Sequence, residues 1–193
     1  MKNINKYSKK QKMSRASKIK YIVIHCSAGF GDYKSMENYW FTPKSKGGLG
    51  WKTGGYHRVV MTDGTIVKAY NFDKVTNGVG GFNEDCIHIC YQGGIDKVTK
   101  KAKDTRTDAQ KQGILECIIE AFKWLQSEGI DTSENGHQVI ILGHRDFSED
   151  KNRNGKIDPN ERIKECPSFD ALEEYKWITY TDKKSYELPK NRK

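Results

Sequence analysis

The sequence predicts a single α/β (α+β) domain in which a central mixed β-sheet is flanked by helices. Three observations lead there. Apolar runs rich in β-branched residues recur as "KYIVIHCSA" (20–28), "CIHICYQGG" (86–94) and "QVIILGH" (138–144), and such runs read as buried strands. Between the last two, apolar residues return at three- and four-residue intervals, the period of a helix. The length, 193 residues, is that of one domain able to bury a sizeable core.

The elements follow in order. "MKNINKYSKKQKMSRASKIK" is basic and polar, with no acidic residue before Asp32, so residues 1–19 read as a flexible tail. "KYIVIHCSA" is the first strand and delivers His25 and Cys26 at its end. "SMENYWF" (35–41) reads as a short helix, and "TPKSKGGLGWKTGG" (42–55) as a loop. "YHRVVMTDGTIVKAY" (56–70) is two strands around the hairpin signal Asp63-Gly64. Thr107 and Gln110 form a capping box that opens a helix over 108–127. Ile114, Leu115, Ile118, Ile119, Phe122 and Leu125 make its apolar stripe, and Gly129 marks its end. "PSFDALEEYKWI" (167–178) reads as a closing helix. The domain is placed at 20–180, with an insertion at 147–163 and a polar tail at 181–193.

The formal net charge is +9, which draws a protein to polyanions such as nucleic acid, anionic lipid or bacterial cell wall without choosing among them. No helix-turn-helix, zinc-finger or RNA-recognition signature is present, so no nucleic-acid partner is expected. No apolar run is long enough to span a membrane. The N-terminus lacks the apolar core of a secretory signal, which predicts synthesis in the cytoplasm. The five cysteines (26, 86, 90, 117 and 166) are odd in number and irregularly spaced, which argues against a disulfide framework.

His25, His144 and Cys166 carry the chemistry. His25 and His144 sit where strands end, and strand ends open onto a common sheet edge. Two neutral imidazoles and a thiolate suit zinc, and three protein ligands leave a fourth position for water. Singly, such residues are usually packed side chains. Order along the chain gives them weight: "IVIHCSA" (22–28), "GWKTGGYHRVVMTDGTI" (50–66), "FNEDCIHICYQGGID" (82–96), "GHRD" (143–146) and "KECPSFD" (164–170).

In these segments the chain resembles the zinc-dependent N-acetylmuramoyl-L-alanine amidases of the type-2 amidase and peptidoglycan-recognition superfamily, and within it the small phage lysozyme-type endolysins. The resemblance implies that family's fold and a single monomeric domain. It implies zinc held by His25, His144 and Cys166, with Tyr56 and Lys164 as catalytic residues. The implied reaction is hydrolysis of the amide joining the lactyl group of N-acetylmuramic acid to L-alanine. Zinc, the Lys164 ammonium and the Tyr56 hydroxyl each suit a developing oxyanion; Tyr56 alternatively orients the attacking water. The implied partner is the peptidoglycan stem, met at the cell wall after release from the cytoplasm. His57 points to the opposite face of its strand from Tyr56 and reads as structural or as a support standing behind the ligands. His88 and His137 match no motif and are left outside the site.

The chain departs from the family twice. Many relatives carry a His in the loop that here reads "NGVGGFN" (77–83), and the His144–Cys166 segment is longer than in the shortest relatives. That segment contains "DKNRNGKIDPNE" (150–161), with the spacing of a calcium loop: Asp150, Asn152, Asn154, Lys156 through its carbonyl, Asp158 and Glu161 as ligands, and Gly155 at the sharp turn. A lone structural calcium ion bracing the insertion is the expectation. The alternative to an enzyme is a non-catalytic peptidoglycan-binding module, a class whose members often lose the zinc Cys that this chain keeps.

Overall fold

The computed structural model describes residues 14–133, 135–178 and 189. Five strands are present: β1 (Tyr21–Cys26), β2 (Arg58–Val60), β3 (Ile66–Lys68), β4 (Cys86–Tyr91) and β5 (Ile140–Gly143). They form one sheet in the order β3-β2-β4-β1-β5. β2, β4, β1 and β5 run parallel, and β3 pairs antiparallel with β2 around Asp63-Gly64. The helices are α1 (Tyr33–Phe41), α2 (Asp108–Ser127) and α3 (Ala171–Tyr175).

The central strands are buried on both faces, as parallel strands are, and their two faces do different work. Ile22, Ile24, Ile87, Ile89 and Ile141 lie in one core cluster with Ile114, Cys117, Ile118, Ala121 and Leu125 of α2. Val23, Cys86, Ile140 and Leu142 belong to a second cluster with Val79, Phe82 and Phe147. The second face carries the site.

The capping box of α2 is present: Gln110 N donates to Thr107 Oγ1 at 3.1 Å, and Thr107 N to Gln110 Oε1 at 3.1 Å. The buried arc differs slightly from the sequence stripe. Ile119 is exposed, and Cys117 and Ala121 are buried in its stead. At 100° per residue the positions 114, 117, 118, 121 and 125 share one arc, and 119 falls outside it.

The packed body starts earlier than residue 20. Arg15–Lys18 is a 3-10 turn, and Ala16 and Ile19 are fully buried. The Arg15 guanidinium donates to the carbonyls of Phe72, Asn83 and Cys86. Lysine-rich composition hid a short apolar anchor and a fork of donors that reaches three backbone carbonyls. The rest of the two expected tails lies outside the described residues, apart from Pro189. None of the five cysteines forms a disulfide.

Candidate metal centre

Adjacent parallel strands bring the site together. The last registered pair of β1 and β5 is Ile24 with Gly143, so the next residue on each chain, His25 and His144, emerges at the same edge. Their rings lie 5.0 Å apart at 76°. His25 is fully buried and His144 half-buried. Burial pushes the pKa of His25 well below the ordinary histidine range, with His144 and His88 adding to it. Burial, then the charge of Lys164, holds His144 down at about 4. Both imidazoles are therefore neutral at neutral pH, the form that binds metals.

Cys166 comes from the far side of the insertion. Its Sγ lies 3.7 Å from His25 Nδ1 and accepts the Cys26 amide N–H at 3.2 Å. Four contacts hold its segment in place. Arg145 N donates to Cys166 O at 2.8 Å, Tyr91 Oη to Pro167 O at 2.6 Å, and Ser168 Oγ to Gly94 O at 2.7 Å. The Pro167 ring packs on the bare backbone of Gly143, where a Cβ would sit 2.5 Å from Pro167 Cδ. The Gly of "GHRD" and the Pro of "CPSFD" thus fit one another.

One potential ligand atom from each of His25, His144 and Cys166 lies within 4.8 Å of the others. Tetrahedral zinc, with bonds of about 2.0–2.1 Å to nitrogen and about 2.3 Å to sulfur, puts those atoms about 3.6 Å apart. The 3.7 Å between His25 Nδ1 and Cys166 Sγ fits that spacing. The donor set and its dimensions therefore suit a zinc-type ion.

The Tyr56 ring lies 5.0 Å from His25 and edge-on to Trp40 at 5.5 Å. Burial raises its pKa well above the ordinary tyrosine value, so the hydroxyl stays protonated and able to donate. Lys164 is exposed at the rim. With His144 it lines a groove of about 180 Å³ whose apolar wall is Val79, Phe82, Phe147 and Ile163.

His57 supports the site from behind: its Nε2 contacts the Lys74 carbonyl at 2.8 Å, and its Nδ1 accepts the His88 amide N–H at 2.9 Å. His137 contacts the Ile19 carbonyl, remote from the ligands. His88 does touch the site, with Nδ1 3.1 Å from His25 Nε2. Sequence reading missed it, and one signal could have found it. His88 is a polar residue at the centre of an otherwise apolar, doubly buried strand, and buried polar groups need partners.

The calcium reading gains no support. The acids of the 150–161 loop form no metal-type group among the described residues. The loop's own N–H groups donate to these acids. Asp150 accepts the amides of Asn154 and Gly155, and Glu161 those of Lys151, Asn152 and Asp158. The Asn152 and Asn154 side chains donate to Asp158, and Lys156 N donates to Asn154 Oδ1. The loop closes at its neck through Ile163 N to Ser148 Oγ at 3.0 Å. Hydrogen bonds supply the brace that the spacing suggested an ion would.

The N-acetylmuramoyl-L-alanine amidase family matches residues 15–161. The chain belongs to this family. The match stops short of Lys164 and Cys166, so the trio's third member rests on geometry and on the "CPSFD" motif. A Haemophilus influenzae protein of no stated function is 31% identical over 116 residues, covering 60% of this chain and 87% of that one. The endolysin of Klebsiella phage KP32 is 27% identical over 121 residues, 63% of each chain. In fold, this amidase-family chain is similar to the ectodomain complex of peptidoglycan recognition proteins LCa and LCx bound to tracheal cytotoxin. The TM-score is 0.57 at 18% identity, with 84% of each chain covered. No helix among the described residues is long and apolar enough to cross a membrane.

Proposed function

We propose that the protein is a zinc-dependent N-acetylmuramoyl-L-alanine amidase of the endolysin type, cutting the amide between N-acetylmuramic acid and L-alanine in peptidoglycan. The observation that carries this reading is the convergence of His25, His144 and Cys166 within 4.8 Å, with His144 lining a groove that has Lys164 on its rim. Membership of the amidase family and likeness to a phage endolysin support it.

His25, His144 and Cys166 would hold zinc, which supplies Lewis acidity towards water and the amide carbonyl. The chain's own residues do the rest. The apolar wall of the groove receives the substrate beside His144 and keeps water from the reacting bond. The Lys164 ammonium, at the open rim, stabilises negative charge developing on the amide oxygen. The protonated Tyr56 hydroxyl, held between His25 and Trp40, is a second donor for that charge.

The fold likeness to recognition proteins favours a second reading, in which the groove binds muropeptide without cutting it. One assay separates the two. Purified protein with added zinc is incubated with peptidoglycan, and released stem peptides bearing a free L-alanine amino terminus are sought. Their release, abolished by Cys166→Ala, supports the amidase. Binding without release supports the recognition module, and new reducing sugar ends refute both.

A further inference from the structure

Three features stand out beyond the ligand trio: the acid-rich 150–161 loop, the apolar groove, and the buried histidine of β4. The loop satisfies its own acids, and the groove belongs to the site already described. His88 carries an inference. The parallel register pairs Val23 with His88 and His25 with Cys90, so His88 and His25 share one face of neighbouring strands. His88 is fully buried. Its Nδ1 lies 3.1 Å from His25 Nε2, and its Nε2 lies 3.2 Å from Asn83 Oδ1.

The proton on each ring follows from this chain of contacts. Asn83 Oδ1 accepts the Val79 amide N–H at 2.7 Å, which identifies that atom as the oxygen. An oxygen facing His88 Nε2 requires Nε2 to carry the hydrogen. In a singly protonated ring, Nδ1 is then bare and accepts, so His25 Nε2 must be the donor. His25 Nδ1 is left with its lone pair free, and this is the atom 3.7 Å from Cys166 Sγ.

The room for this arrangement comes from Gly78. A Cβ there would fall 2.4 Å from Cγ and Nδ1 of His88. The ring therefore rests on bare backbone in "NGVGGFN", the loop in which many relatives place a histidine.

We propose that His88 is a positioning residue of the metal centre: anchored by Asn83 and seated on Gly78, it fixes the tautomer and ring orientation of His25 so that Nδ1 faces the metal. The proposal rests on the reading of His25 as a zinc ligand. Partners of this kind typically change metal affinity by about 10–100-fold when lost.

The test measures zinc dissociation constants of the full chain by competition with a chromophoric chelator, with melting of the zinc-free protein as the control for folding. His88→Asn keeps an acceptor where Nδ1 lies, and His88→Leu removes it. His88→Leu is expected to weaken zinc binding about 10–100-fold, His88→Asn by only a few-fold. Asn83→Ala, which keeps the ring but frees its Nε2–H, should shift affinity in the same direction as His88→Leu and serves if the latter does not fold. Nitrogen-15 histidine spectra of the zinc-loaded wild type should show the His25 proton on Nε2. Unchanged affinity in His88→Leu and Asn83→Ala overturns the proposal, as does equal weakening by His88→Asn and His88→Leu. A wild type that binds no zinc overturns the ligand reading itself, which is a distinct result.

Discussion

The backbone N–H of Arg145 donates to the carbonyl oxygen of Cys166 at 2.8 Å. This bond joins the residue after one candidate ligand, His144, to a second candidate, Cys166, across the segment 147–163. Beside it the Pro167 ring lies on Gly143. The two ends of that segment are thus tied where they leave the site.

That tie has a steric test. Gly143→Ala would set a methyl 2.5 Å from Pro167 Cδ, and the ring is held by Tyr91 through its carbonyl. Overpacking of this kind costs about 2 kcal/mol. The variant is expected to melt at lower temperature and to bind zinc more weakly, because relieving the clash moves Cys166 away from His25. Calorimetry and zinc titration check both.

Glu161 is the hub of the insertion. It is 5% exposed and accepts three backbone N–H groups, from Lys151, Asn152 and Asp158. Glu161→Ala is expected to lower stability by about 1–2 kcal/mol, since water can replace only part of what the carboxylate satisfied. Because the brace is made of hydrogen bonds, millimolar calcium should not change the melting temperature of the wild type. A calcium-dependent rise would revive an ion in the loop.

Acid sensitivity should appear at Glu120. Arg58 donates to it twice, at 2.8 and 3.1 Å, and Lys68 once at 2.9 Å. These partners, Arg58 first, depress its pKa from 4.5 to about 2. The folded value lies below the unfolded one, so the stabilisation is present above pH 4.5 and is lost as pH falls through about 2. The carboxylate is partly exposed, so solvent screening reduces its worth to about 1 kcal/mol. Glu120→Gln should be less stable than wild type at pH 7 and should converge with it near pH 2, read from urea midpoints.

Tyr56 and Lys164 should separate from the ligands in one experiment. Tyr56→Phe and Lys164→Ala are expected to keep full zinc content while kcat falls by about 10²-fold, the usual cost of losing one oxyanion donor. His144→Ala should instead lose zinc. Metal analysis alongside stem-peptide release distinguishes the two behaviours.

Much of this protein is written locally. The period of α2, its Thr107–Gln110 box, the Asp63-Gly64 turn and the apolar strand runs each depend on residues within a few positions of one another. They are legible because backbone geometry imposes periods of 3.6 and 2 on any segment that buries one side. The ordered motifs likewise identified His25, His144 and Cys166 as residues to watch. Tertiary structure alone decided what met what. Strand order placed β4 beside β1 and so put His88 against His25; the same packing drew Arg15 under three carbonyls and filled the 150–161 acids with amides. Those outcomes depend on which distant surfaces exclude water together and on which polar groups are then left needing partners, and no local period encodes either.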